Sequence, residues 1–457
     1  MSHVNRSTFS LAVALSLVST LFQAPVSAQS AEELAQMEAR LVARLELRLA
    51  EATEEMRSEQ EATRLAFEQA VRALAKSANT LDQTALKTIA AGDVKAGLSA
   101  LEERGRARDA QVLRKGNSAA TTERAEEWVH IGALAFLDNT ARAVEAYEHA
   151  LGIAPSNPVA LDQLAWLYGR QARTADRRAV AERLTRLPEA DSRVRGFIHL
   201  ADIHLDENDG DRAEPFVERA MSESIGAGLP KYEATAAAFL AACRVLDRRY
   251  DEAEKLVQRS LSLSRAGGFR NEEGLALFVQ GTVYFARASS SLFGRKNHLQ
   301  RAEDVYTQVE ALFREQKDRS SIAQILIRRG HVARLMGDLT LAKQLLTDAI
   351  RILEELGVRA RLGFAQQQMA ATLSALGQGD DAAILFEKSV DAARETHQPA
   401  YEGSALYQWA RAEAERRNRV SACVLATDAV AAWSRAAGQE RQADAARALA
   451  RSTCPRR

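Results

Sequence analysis

The residues of this chain that could do chemistry are few and scattered. His199 and His204 flank Asp202, and an acidic stretch runs from Asp206 to Asp211. Two imidazoles and several carboxylates in thirteen residues raise the question of a bound cation. A calcium loop needs a glycine at its sixth position and a glutamate at its twelfth. Counted from Asp206, Gly210 falls at the wrong offset and no Glu stands twelfth. The stretch is therefore expected to be a turn between two helices. The sequence contains no His-Glu-x-x-His, no Gly-x-Ser-x-Gly, no phosphate-cradling glycine loop and no paired-cysteine metal motif. The remaining histidines stand singly, and Arg416-Arg417-Asn418-Arg419 is expected to be a solvated corner. No catalytic residue, metal ligand or cofactor site is expected, and the chain is read as a non-enzyme.

The three cysteines are Cys243, Cys423 and Cys454. Cys243 is expected to be a buried small hydrophobe. The other two lie 15 residues before and 16 residues after Gly438, where a turn is expected. If antiparallel helices flank that turn, both thiols reach the same level, and a Cys423–Cys454 disulfide pins the end of the chain. The alternative is two unpaired thiols, because spacing does not set side-chain direction.

The compartment decides whether such a bridge forms. Residues 1–28 have the order of a secretory signal. Arg6 lies in a short polar start, an uncharged apolar run extends from Phe9 to Phe22, and Ala24-Pro25-Val26-Ser27-Ala28 supplies small residues for cleavage. Export is expected, most simply to a periplasm; the alternative is an uncleaved N-terminal anchor. No later stretch approaches the ~18 apolar residues of a membrane span, so no span is expected after cleavage. Lys+Arg and Asp+Glu are both 61. That balance disfavours a nucleic-acid partner, which calls for a basic excess. With 8 Pro and 24 Gly against abundant Ala, Leu, Arg and Glu, the composition favours helices.

Residues 29–78 are read as one long amphipathic helix. Leu34, Met37, Leu41, Leu45, Leu49, Ala52 and Met56 recur at three- and four-residue steps, and Phe67, Val71 and Leu74 continue the stripe. Its face suits either a coiled-coil self-association or packing back onto the chain. Residues 79–123 are read as a helical hairpin and linker, with a flexible joint from Gly116 to Thr122.

From there the chain repeats. Ala213, Ala253, Ala302, Ala342, Ala382 and Ala422 are separated by 40, 49, 40, 40 and 40 residues. Ala201, Ala241, Gly281, Gly330, Ala370 and Ala410 are separated by 40, 40, 49, 40 and 40. Two sets of small residues sharing one period and one nine-residue insert indicate a solenoid, the insert falling near Ser289 to Asn297. Turn signals at Asp209-Gly210-Asp211, Gly337-Asp338 and Gly379-Asp380-Asp381 divide each period into two helices. Four residues beyond the second-helix alanines stand Val217, Val257, Tyr306, Leu346 and Phe386, large residues set against small ones.

Trp128, Ile131-Gly132, Ala143, Tyr147, Ala150 and Pro155 carry the clearest signature, followed by Leu164-Ala165, Tyr168 and Ala179. This order resembles the tetratricopeptide repeat over about 70% of the chain. The resemblance implies an all-α, right-handed solenoid of about eight hairpins over residues 124–438, preceded by the long polar helix and ended by a capping helix over 439–457. It also implies that the first helices line a concave groove for a protein or peptide. By family analogy the groove positions include Phe278, Thr282, Phe285, Ile327, His331, Arg334, Gln367, Tyr407 and Arg411. The Asn and Lys set with which some members clamp a C-terminal carboxylate is absent. The function expected is a scaffold or adaptor in the cell envelope, with a peptide- or small-ligand-responsive regulator as the alternative.

Overall fold

The computed structural model describes residues 36–37, 39–43, 57–77, 79–112, 118–171, 173–207, 209–290, 294–315, 318–356, 359–436 and 438–454. Residues 1–28, with the expected export signal, lie outside them. So do Leu34, Leu45, Leu49, Ala52 and Met56 of the long N-terminal stripe.

Among the described residues every regular element is a helix. The first three are α1 (Arg57–Ala75), α2 (Thr80–Ala91) and α3 (Val94–Val112). The repeats comprise α4 (Ser118–Ala135), α5 (Thr140–Ile153), α6 (Pro158–Arg170), α7 (Thr174–Leu184), α8 (Ala190–Asp206), α9 (Gly210–Gly226), α10 (Pro230–Leu246) and α11 (Tyr250–Gly267). They continue with α12 (Arg270–Ser290), α13 (Arg295–Glu315), α14 (Arg319–Met336), α15 (Leu339–Leu356), α16 (Arg359–Ala375), α17 (Gly379–Glu395), α18 (Pro399–Glu415) and α19 (Arg419–Trp433). The last helix is α20 (Glu440–Thr453). Helices α4 to α19 form eight antiparallel hairpins, and α20 packs on α19. The chain is an α-solenoid with a terminal cap helix.

The helix starts follow from side-chain chemistry. Asn139, Asn157, Asp209, Asp318 and Asp338 each accept a backbone N–H of the first turn, at 2.8 to 3.1 Å. Pro158, Pro230 and Pro399 occupy first-turn positions, where no N–H is needed. The turns share a backbone register. Arg248, Gly337, Gly377 and Arg417 all take positive φ inside hairpins, and Gly228, Gly268, His397 and Gly438 do so between hairpins. Glycine meets this demand at five of those eight positions, because an L side chain strains there.

The size code of the sequence is a contact code. A Cβ on Gly281 would lie 2.3 Å from the Tyr306 ring, and one on Gly330 would lie 2.7 Å from Leu346. Gly132 meets Tyr147 in the same way at 2.9 Å. Each large second-helix residue therefore fills the notch left by a small first-helix residue, and Tyr306, Leu346 and Tyr147 are all buried. The first helices of successive hairpins approach one another from α6 to α12 and from α14 to α18, and Phe285 of α12 meets His331 of α14; this places them on the inner wall, and the second helices form the outer wall.

One expectation is corrected and two are made specific. The nine-residue insert largely lengthens helices: α12 and α13 each extend to 21 residues. Ser289 and Ser290 remain helical, their hydroxyls donating to Phe285 and Ala286 carbonyls one turn back. The joint before the solenoid is narrower than expected, since α4 begins at Ser118. The described part of the N-terminal stripe packs back onto the chain: Met37, Leu41, Phe67, Val71 and Leu74 are buried in one core with Trp128, Leu134 and Leu161. Helix α1 packs chiefly on α4 and also reaches α6 and α12, inner helices of the solenoid.

Candidate ligand channel

The inner helices of the last four hairpins, α12, α14, α16 and α18, present the richest set of chemically active side chains. On α12, Phe278 and Phe285 are half-buried, Phe278 lying 6.1 Å from Tyr306 between ring centroids. Phe285 meets His331 of α14 edge-on at 4.8 Å. Arg328, His331 and Arg334 follow at three-residue steps on α14 and so share a face. The Arg328 guanidinium lies 5.6 Å from the Phe278 ring and 5.8 Å from the Phe364 ring, a cation set between two π faces. Phe364 of α16 lies 6.0 Å from Tyr401 of α18. Arg361, at the start of α16, donates from Nη1 to Ser320 Oγ at 2.8 Å.

The electrostatics of this wall are those of crowded cations. Burial, and then the charges of Arg334 and Arg328, push His331 down to about 3, so it is neutral at physiological pH. Burial and the like charge of Arg411 lower Arg334, with Glu415 opposing. Burial pushes Arg361 down to about 10, with Tyr401 opposing.

Across the superhelix lies an acidic edge. Burial, then Asp202, pushes Asp206 at the end of α8 up to about 7 against the pull of Arg177. The Asp206 side chain is nonetheless 72% exposed. The end of α8 lies near the start of α18, since Tyr401 feels the Asp206 charge together with those of Arg328 and Arg361. The turn before α20 returns to the same place: Gln439 Nε2 donates to the Glu207 carbonyl at 3.4 Å. The inner wall is thus a channel, with α8 facing α16 and α18.

The groove positions taken by analogy do not all face this space. Ile327, 2% exposed, packs in the core with Leu346 and Leu353. Gln367, 1% exposed, donates to Ser404 Oγ at 2.8 Å and ties α16 to α18. Both are correctly on inner helices but rotated into the contact between repeats. Thr282 turns its hydroxyl to the Phe278 carbonyl and to Tyr306. Tyr407 is half-buried 5.6 Å from Trp433. Phe278, Phe285, His331 and Arg334 form the continuous patch, while Arg411 is exposed and lies 3.8 Å from Glu415. The analogy missed Arg328, Arg361, Phe364 and Tyr401. The signal was available: Arg361 and Tyr401 are one 40-residue period apart, at the same register.

The other clusters hold structure together. Asp162 bonds Arg195 at 2.6 Å and His199 at 3.2 Å; Arg177 bonds Asp202 at 2.6 Å. His204 stacks on Phe216. The acidic stretch is the expected turn, with Asp209 capping α9. Arg416 pairs with Asp380 at the solvated corner. Cys423 and Cys454 form a disulfide with Cα atoms 4.8 Å apart, and Cys243 is a buried free thiol. A cluster unseen in the sequence locks α3 to α4. There Asp109 accepts from Arg124 at 2.6 Å and from the Trp128 indole at 3.1 Å, and Arg124 also meets Glu127.

Eight stacked hairpins with an inner-helix channel define a tetratricopeptide-type α-solenoid. Solved structures with a similar arrangement include a signal-transduction ATPase with a tetratricopeptide repeat sensor from Pyrococcus horikoshii, with a TM-score of 0.47 and 12% identity over 72% of this chain. This chain spans about half of that protein, 49% of its length. A Rap protein complexed with Competence and Sporulation Factor gives a TM-score of 0.49 at 12% identity, covering 74% of this chain and 97% of its own. NprR in complex with its cognate peptide NprX gives 0.45 at 12% identity, covering 73% and 98%. No family model matches the chain, and no curated protein matches it.

Proposed function

We propose that this chain is a non-catalytic interaction scaffold that holds a peptide or a segment of a partner protein in its concave channel. The observation that carries the reading is the patch from Phe278 and Phe285 through Arg328, His331 and Arg334 to Phe364 and Tyr401. It joins four successive hairpins and combines aromatic faces with cations. Aromatics and arginines are the side chains that anchor interfaces. A channel that runs across repeats is filled by an elongated ligand. Export to the cell envelope is part of the proposal. It rests on residues 1–28, and the Cys423–Cys454 disulfide supports it, since such bridges persist in oxidising compartments.

Photo-crosslinking in intact cells tests this. A photoreactive residue is placed at Phe285 or Phe364 on the inner wall, and at Ile384 or Val424, which are exposed on outer helices. Discrete envelope-protein adducts from the inner positions alone are expected. Equal labelling from both walls contradicts the groove, and cytosolic adducts contradict export.

The contact between Gln439 and Glu207 favours one second reading, a ligand-responsive regulator whose superhelix tightens around a small ligand. A fall in radius of gyration on ligand addition distinguishes it from a static scaffold.

A further inference from the structure

The chain pairs its half-buried arginines with care. Arg142, Arg177, Arg195, Arg244 and Arg329 each reach a carboxylate at 2.5 to 2.6 Å. The channel breaks this habit. Among the described residues Arg328 has neither an ion pair nor a hydrogen bond, and rests only on the Phe278 and Phe364 rings. Among the same described residues Arg334 has no carboxylate within ion-pair distance, and its Nε is buried without a hydrogen-bond partner. An unpaired cation in a partly desolvated site is costly, and an incoming anion removes that cost.

We propose that Arg328 and Arg334, with Arg361 on the next hairpin, form an anion-binding subsite for an acidic peptide segment carrying aromatic side chains. The inference rests on the channel reading above and gives it a ligand chemistry. Two details select a peptide over a single small anion. Arg328 and Arg334 are six residues apart on one helix, about 9 Å along its axis, too far to clamp one carboxylate together. Separate cations call for separate carboxylates on one chain. Phe278, Phe285, Phe364 and Tyr401 lie among those cations, so the ligand alternates charge with apolar or aromatic surface. Guanidinium groups suit carboxylates through their paired N–H donors.

The test uses the full chain and three pools of fluorescein-labelled twelve-residue peptides, measured by fluorescence anisotropy. The first pool is randomised from Glu, Phe, Gly and Ser; the second has Gln in place of Glu, and the third has Lys. The Glu pool is expected to bind at least tenfold more tightly than the Gln pool, and the Lys pool most weakly. Arg334→Leu is expected to abolish the preference for Glu over Gln and to raise the thermal midpoint, since it removes a half-buried cation that no carboxylate pairs at ion-pair distance and whose Nε is buried without a partner. A merely structural arginine would lower that midpoint. Arg328→Gln provides a second route to the same loss, and Arg351→Gln on the outer wall leaves binding unchanged. Equal binding of the Glu and Gln pools overturns the anion-binding subsite while the channel reading stands. If no pool binds, the subsite is overturned, and an absence of inner-wall photo-adducts then overturns the channel reading as well.

Discussion

Gln439 and Glu207 are 232 residues apart in sequence, yet the amide of one donates to the backbone carbonyl of the other at 3.4 Å. Gly438, beside it, places its Cβ direction 3.8 Å from the Asp209 carboxylate. The cap of the last hairpin therefore rests on the turn of the third, closing the channel along one edge. A bond of that length contributes under about 1 kcal/mol, so the closure is an adjustable contact. Gln439→Ala is expected to raise hydrogen exchange in the 207–211 turn with little change in global stability. Unchanged exchange there would show that the contact has no weight in solution.

The Cys423–Cys454 bridge closes a loop of 31 residues across the cap. The chain-entropy account assigns such a loop about 3–4 kcal/mol. In a solenoid that loss is felt where it occurs, at the terminal repeat. Cys423→Ser with Cys454→Ser is expected to fray α19 and α20, seen as selective loss of exchange protection from 419 to 453. Protection lost uniformly from α4 onward would contradict the local view.

Gly281 and Gly152 separate packing from propensity. A methyl group at Gly281 meets the fully buried Tyr306 ring, so Gly281→Ala is expected to destabilise by about 1–3 kcal/mol. At Gly152 nothing lies within 4 Å, and Gly152→Ala is expected to stabilise by up to about 1 kcal/mol. Urea unfolding of both variants checks the contrast; equal effects would mean that the notch at Gly281 is not tight.

Asp206 gives the channel a pH response. Burial and the neighbouring Asp202 raise its folded value to about 7, above the unfolded aspartate near about 4. The folded chain then binds more protons than the unfolded chain between those limits. The contribution is full below pH about 4 and is lost as pH rises through about 7. Solvent in the lumen moderates the slope, because the side chain is largely exposed. Asp206→Asn is expected to flatten the decline in stability from pH 4 to 8, measured by thermal unfolding. An unchanged profile would contradict a raised Asp206.

The repeat was legible because its period is written in small residues. Ala213 through Ala422 and Ala201 through Ala410 must keep their spacing for helices to approach, and the matching large residues fill the notches. The disulfide was legible for a related reason, since a hairpin turn near Gly438 sets two helix levels. Rotation about each helix was less legible. Ile327 and Gln367 lie on the expected helices but turn into the repeat contact, a rotation that packing volume decides and register does not. The Asp109–Arg124–Trp128 lock and the return of Gln439 to Glu207 depend on superhelical curvature. That curvature accumulates from small angles at every hairpin and leaves no local sequence mark.

The most direct test of the central claim is a hydrogen-exchange footprint of the chain bound to a captured peptide or partner. The account expects new protection on α12, α14, α16 and α18, centred on Phe278, Arg328, Arg334, Phe364 and Tyr401, with α13, α15 and α17 unchanged. Protection on those outer helices, with the inner wall unaltered, would contradict it.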